Sequence, residues 1–134
     1  MEKVLRQVMV LDPGYQHAWN ALGYSLADRN IRLEEAQGYI EKALELAPDD
    51  PYITDSLGWV YFRQGKLDKA EEILKKAYAL HDDNEIAVHL GEVLWVKGEK
   101  EEALRLFRDV HKKDNTHELL GKTLKRLKIK RLSE

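Results

Sequence analysis

Glu85, His89 and Glu92 stand at i, i+4 and i+7, a spacing that puts three metal-capable side chains on one face of a helix. A single helix supplying such a trio, with no ligand from a second element, is equally the pattern of a solvated helix face, and that is how these residues read. His111 and His117 have no partner at ligand spacing. Ser25, Ser56 and Ser133 lack the glycine-flanked setting of a nucleophile elbow. No cysteine is present, which excludes thiol catalysis, a disulfide framework and Cys-ligated zinc. The glycines do not fall in a phosphate-binding loop pattern. Acid pairs such as Glu71 with Glu72 sit one turn from Lys75 and Lys76, as on a helix surface exposed to water. The expectation is therefore a protein that is not an enzyme, without cofactor, metal or small-molecule substrate.

The elements that would position any site follow from a repeat. Leu22-Gly23 returns as Leu57-Gly58 and as Leu90-Gly91, at spacings of 35 and 33 residues. Downstream, Ala36, Ala70 and Ala103 return at 34 and 33, each followed four residues on by Ile40, Leu74 or Phe107. Each unit carries two apolar blocks at helical spacing with a turn signal between them, Gln64-Gly65 in the second and Lys97-Gly98 in the third. The first unit is one residue longer between its glycine and alanine. Glycine inside a helix costs up to about 1 kcal/mol against alanine, so three at one phase imply a compensating contact. The expected contact is a close approach of the paired helix at Ala36, Ala70 and Ala103. Asp50 with Pro51 forms a helix start. The spacing predicts eight helices, about 2–11, 15–28, 33–46, 51–64, 67–80, 84–97, 100–113 and 117–130, and no strand.

Composition agrees. Of 134 residues, 43% are hydrophobic and 34% charged, enough apolar matter for a packed core. The net charge of −2 argues against a nucleic-acid module driven by global charge. No apolar run approaches the roughly 18 residues of a membrane span.

Trp19-x-x-Leu22-Gly23, Leu57-Gly58-x-x-Tyr61, Ala103-x-x-x-Phe107 and Pro48 resemble the tetratricopeptide repeat pattern over residues 16–117. The signature Trp is replaced by Thr54 and Ala87, and the closing Pro by Asp82 and Asn115. The wording around Leu22–Arg29, Asp55–Tyr61 and His89–Trp95 is also similar to the C-terminal repeats of bacterial envelope tetratricopeptide proteins, some of them lipoproteins. The resemblance implies an all-α, right-handed solenoid of antiparallel helix pairs with a C-terminal capping helix, acting as a protein-binding scaffold, and a periplasmic or envelope location for the parent protein. It divides the chain into the second helix of an earlier repeat (1–14), units at 15–50, 51–83 and 84–116, and a basic capping helix (117–134). Leu5, Val8, Leu11 and Pro13 match Ile40, Ala43, Leu46 and Pro48 in spacing, so the sequence is expected to be the C-terminal part of a longer protein.

The resemblance also places the first helix of each unit on a concave face. Its side chains there include Asn20, Tyr24, Tyr52, Asp55, Trp59, Arg63, His89 and Glu92. Aromatics on such a face suit capture of a partner peptide or helix; the same residues would equally serve as packing between units, the rival reading being a purely structural C-terminal cap of a longer solenoid whose binding site lies upstream. The carboxylate clamp of chaperone-tail receptors is absent, the matching positions reading Asn20, Tyr24, Ser56, Glu85 and His89. The tail from 118 carries six cations against Glu118 and Glu134, a net of +4. It could meet an anionic membrane, RNA or an acidic partner, or simply complement the helix dipole as a polar cap. Asn115-Thr116-His117-Glu118 is expected to form a capping box for that helix.

Overall fold

A computed structural model describes residues 1–132; Ser133 and Glu134, the end of the expected capping segment, lie outside the described residues. Among the described residues the elements are α1 (Glu2–Leu11), α2 (Gln16–Asp28), α3 (Leu33–Leu46), α4 (Pro51–Arg63), α5 (Leu67–Leu80), α6 (Asn84–Lys97), α7 (Lys100–Lys113) and α8 (Glu118–Arg126), with no strand. They fall into two compact units, Met1–Leu80 with α1–α5 and a second from His81 onward with α6–α8.

In the first unit α2 packs on α3 and α4 on α5 as hairpins, while α4 also lies against α2 and α3. The core comprises Leu22, Leu26, Ile40, Ala43, Ile53, Val60 and their neighbours. In the second unit α6 and α7 form the hairpin and α8 packs on both. Leu90, Leu94, Phe107, Val110 and Leu120 are buried there.

The helix glycines explain the hairpins. A Cβ on Gly23 would stand 2.5 Å from Ile40 Cγ1, on Gly58 2.6 Å from Leu74 Cγ, and on Gly91 2.5 Å from Phe107 Cε1. Each glycine is thus the socket for a bulky side chain of the paired helix. The expected partners Ala36, Ala70 and Ala103 are buried, but only Ala36 is among the nearest neighbours, through its carbonyl oxygen at 2.9 Å. The residue four positions on makes the contact because its longer side chain reaches the space the missing Cβ leaves.

Helix ends follow local chemistry. The Asp50 carboxylate accepts from the amides of Tyr52 and Ile53, and that of Asp83 from Glu85 and Ile86. At the other end, the amides of Ile31, Lys66 and Glu99 donate back to the carbonyls of Leu26, Tyr61 and Leu94. Left-handed residues, Asn30, Gly65 and Gly98, allow this turn. The extra residue of the first unit is absorbed here, where Arg32 also takes a left-handed conformation with φ 46°.

Two expectations are corrected at α8. It ends at Arg126, not near 130: Lys128 turns left-handed and the Ile129 amide donates to Leu124 O at 2.9 Å. The non-glycine left-handed residue gave no stop signal in the sequence. The capping box also does not form. Asp114 takes the Thr116 amide and hydroxyl at 3.0 and 2.8 Å, which pulls its carboxyl below the usual range, and His117 Nδ1 caps α8 by accepting from the Leu120 amide at 3.2 Å.

Candidate functional site: the first-helix side chains

Six of the eight candidate residues belong to the first unit, and His89 and Glu92 to the second. On α4, Pro51 and the Asp50 cap set the helix phase, and successive turns then place Tyr52, Asp55, Trp59 and Arg63. Tyr52 is open to water at 48% exposure, whereas Trp59 is 3% exposed and Asp55 is buried. The Trp59 ring supports two neighbours: Phe62, with ring centroids 4.9 Å apart, and the Arg63 guanidinium, 5.1 Å from the ring centroid. Arg63 also donates to the Asp28 carbonyl oxygen at 3.1 Å and stands 3.7 Å from its carboxylate, tying α4 to the end of α2. On α2, Asn20 and Tyr24 are half-buried, with Tyr24 packed against the core.

Two polar positions next to these explain the departures from the repeat pattern. Thr54, at the signature Trp position, is buried and bonds the Asp50 carbonyl through its hydroxyl at 2.9 Å. Ser56 bonds the Tyr52 carbonyl in the same way at 3.1 Å. A buried hydroxyl is thereby satisfied within its own helix.

In the second unit His89 is 2% exposed and Glu92 5% exposed. The Glu92 carboxylate pairs with the Arg126 guanidinium of α8. Of the solvated face expected for α6, Glu85 is exposed, whereas His89 and Glu92 are interior, Glu92 being covered by α8. Among the described residues no group of His, Cys, Asp and Glu is arranged to hold a metal ion.

One polar network carried no sequence signal. Glu2 receives Arg6 at 2.9 Å and Arg32 at 2.6 Å, while Glu35 receives Arg6 at 2.7 Å and the Tyr39 hydroxyl at 2.6 Å. These contacts tie α1 to α3 across about thirty residues of sequence. The arginines beside Glu2, and Tyr39 with Arg6 beside Glu35, hold both carboxyls below the usual range. Burial, then the Glu35 carboxylate, pushes the Tyr39 phenol up.

Helical hairpins of near-constant period, each closed by a bulky side chain seated on a glycine, define an all-α helical-repeat protein. The chain belongs to the tetratricopeptide repeat family, whose models match residues 15–83 and 56–116. It is 53% identical over 92 residues to the TPR repeat-containing protein PA4667 of Pseudomonas aeruginosa, a match covering 69% of this chain and 16% of that protein. The chain thus spans about one sixth of that relative's length. Among solved structures, the thermophilic TPR protein TTC0263 of Thermus thermophilus superposes with a TM-score of 0.81 at 24% identity, covering 96% of this chain and 72% of that one. MamA of Desulfovibrio magneticus RS-1 superposes with a TM-score of 0.70, also at 24% identity, covering 87% and 66%. Both share the fold. Proteins of this family are in general non-catalytic scaffolds for protein–protein interaction.

Proposed function

We propose that the chain is a non-catalytic scaffold that holds a partner peptide or helix on the first-helix side chains of its Met1–Leu80 unit. The observation that carries this reading lies on α4, where buried Trp59 holds Phe62 and Arg63 in place and Tyr52, about two turns earlier, is exposed. A preorganised cation beside aromatics loses little freedom on binding, so contact area converts efficiently into affinity. Tyr52, Arg63, Tyr24 and Asn20 would touch the partner. Trp59 and Asp55 would support them from beneath.

For His89 and Glu92 a structural role is the better reading, because both are interior and Glu92 anchors the last helix. That supports the rival view for the second unit, a cap rather than a binding face. For the parent protein we propose the bacterial envelope, on the resemblance of its repeat wording alone.

The test is affinity capture with the chain as bait, read by mass spectrometry. Tyr52→Ala with Arg63→Ala should lower recovery of a specific partner about thirtyfold, the loss of about 2 kcal/mol typical of an anchor residue. Lys76→Ala on α5 should change nothing. If recovery survives Tyr24→Ala, Tyr52→Ala and Arg63→Ala together, the scaffold reading of this face is wrong.

A further inference from the structure

Among the described residues, α8 repeats the first-helix pattern with no second helix packed against its glycine. Leu120-Gly121 reproduces the pairs Leu22-Gly23, Leu57-Gly58 and Leu90-Gly91. The turn that ends α8 falls at the same distance from its glycine as in the other three: Gly23 to Ile31, Gly58 to Lys66, Gly91 to Glu99 and Gly121 to Ile129. Like α4 on α2 and α3, α8 packs on both helices of the hairpin before it. It is therefore a fourth first helix, one turn shorter at its start.

At Gly23, Gly58 and Gly91 a bulky side chain from the paired helix fills the socket. At Gly121 a Cβ would meet nothing within 4 Å. One helical turn beyond Gly121, Leu124 lines a groove of about 650 Å³ between α7 and the segment after α8, together with Arg108, His111, Lys112, Lys130, Arg131 and Leu132. Four of these are permanent cations, one is an imidazole, and among the described residues no carboxylate lines it. Arg108 braces the far wall by donating to the Leu132 carbonyl at 3.1 Å.

We infer that this groove receives an acidic amphipathic helix of a protein partner, seated against α7 and α8 as the second helices seat on the other first helices. A bulky apolar residue of that helix would occupy the Gly121 socket, as Phe107 occupies that of Gly91, and further apolar residues would cover Leu124 and Leu132. Its flanking carboxylates would meet Arg108, Lys112, Lys130 and Arg131. Charge selects this occupant over a second copy of the chain. The second-helix-like α1 has an open face with exposed Val10 and Leu11, but that face is lined by Lys3, Arg6 and Gln7 with no carboxylate among the described residues, so it offers nothing to pair with the groove's cations. Charge alone would also suit lipid headgroups or RNA; the shaped glycine socket fits a helix.

The experiment titrates the full chain into a fluorescein-labelled 14-residue helical peptide, the length of α3, α5 and α7, with Leu and Phe on one face and Glu on its flanks. Fluorescence anisotropy should show saturable binding. Gly121→Phe, which fills the socket, and the double variant Lys112→Glu with Arg131→Glu should each weaken it about tenfold or more. Both alter exposed positions, so melting temperature and helical circular dichroism should stay as in the parent. The inference fails if Gly121→Phe binds the peptide like the parent chain, or if a Lys-flanked peptide binds as well. It also fails if phosphatidylserine vesicles or poly(U) RNA bind with a Gly121-independent affinity that exceeds the peptide's. Self-association abolished by Gly121→Phe, seen by sedimentation, would overturn it in favour of a second copy.

Discussion

Arg63 on α4 and Arg126 on α8 make the same reach, from one first helix back to the first helix before it. Arg63 meets the Asp28 carbonyl and stands 3.7 Å from a carboxylate that is 56% exposed. Arg126 meets Glu92, whose side chain is 6% exposed. If either arginine is lost, Asp28 can turn to water, whereas Glu92 stays confined between α6 and α8 without its cation. The two pairs differ in contact and in depth: Arg126 hydrogen-bonds the Glu92 carboxylate, whereas Arg63 hydrogen-bonds only the Asp28 carbonyl, and both differences give the Arg126 pair the greater weight. The two sites also differ in what the arginine rests on. Arg63 lies over buried Trp59, which fixes its position for a further contact, while Arg126 is spent on closing the chain's last helix.

The largest expected effect removes the buried member of the comparison altogether. Deleting residues 118–134 uncovers Glu92 and the α6–α7 surface that buried Leu120 and Thr123 cover. Urea unfolding should show a loss of about 3–5 kcal/mol. A truncated chain with an unchanged midpoint would mean that α8 is not a cap. Next, Arg126→Ala should cost about 1–3 kcal/mol, since it leaves an interior carboxylate unpaired, and Glu92→Gln in the same background should recover part of that. Arg63→Ala should cost under about 1 kcal/mol, the range of exposed pairs. Equal losses for the two arginines would break the argument from burial.

The smallest effect concerns the exposed network of Glu2, Arg6, Arg32 and Glu35. Both carboxyls titrate below their ordinary value of 4.5 in the folded chain. Their contribution is therefore complete above that value and disappears as pH falls through their folded values. Protection factors of the α1 amides should fall on acidification below pH 4.5, and more in the native chain than in Glu2→Gln with Glu35→Gln. An equal fall in both would show that other groups control the docking of α1.

Helix existence and most helix limits were legible from the period and caps alone. α1, α3, α5, α6 and α7 span the expected residues, because the repeat, the Asp50 cap and Gly65 and Gly98 are local signals. The glycine phase predicted close helix approach and Ala36 does lie against Gly23, but the side chain nearest each glycine is the bulky residue four positions on from the alanine, since which side chain enters a socket depends on reach across the hairpin. The fourth Leu-Gly pair, Leu120-Gly121, was readable in principle. A spacing of 30 instead of 33–35 hid it, because α8 is a turn shorter at its start.

What the amino-acid order determined by itself was the rhythm of this protein. Leu-Gly pairs, caps and apolar spacing act within a few residues, so helices, hairpins and the repeat family follow from local rules. Tertiary structure alone decided exposure. Tyr52, Trp59, His89 and Glu92 all occupy first-helix positions of one pattern, yet Tyr52 meets water, Trp59 carries Arg63 from below and Glu92 is closed over by α8. Burial is a property of what packs against a position, and the partners that bury Glu92 or tie Glu2 to Arg32 come from about thirty residues away, beyond the reach of any local spacing.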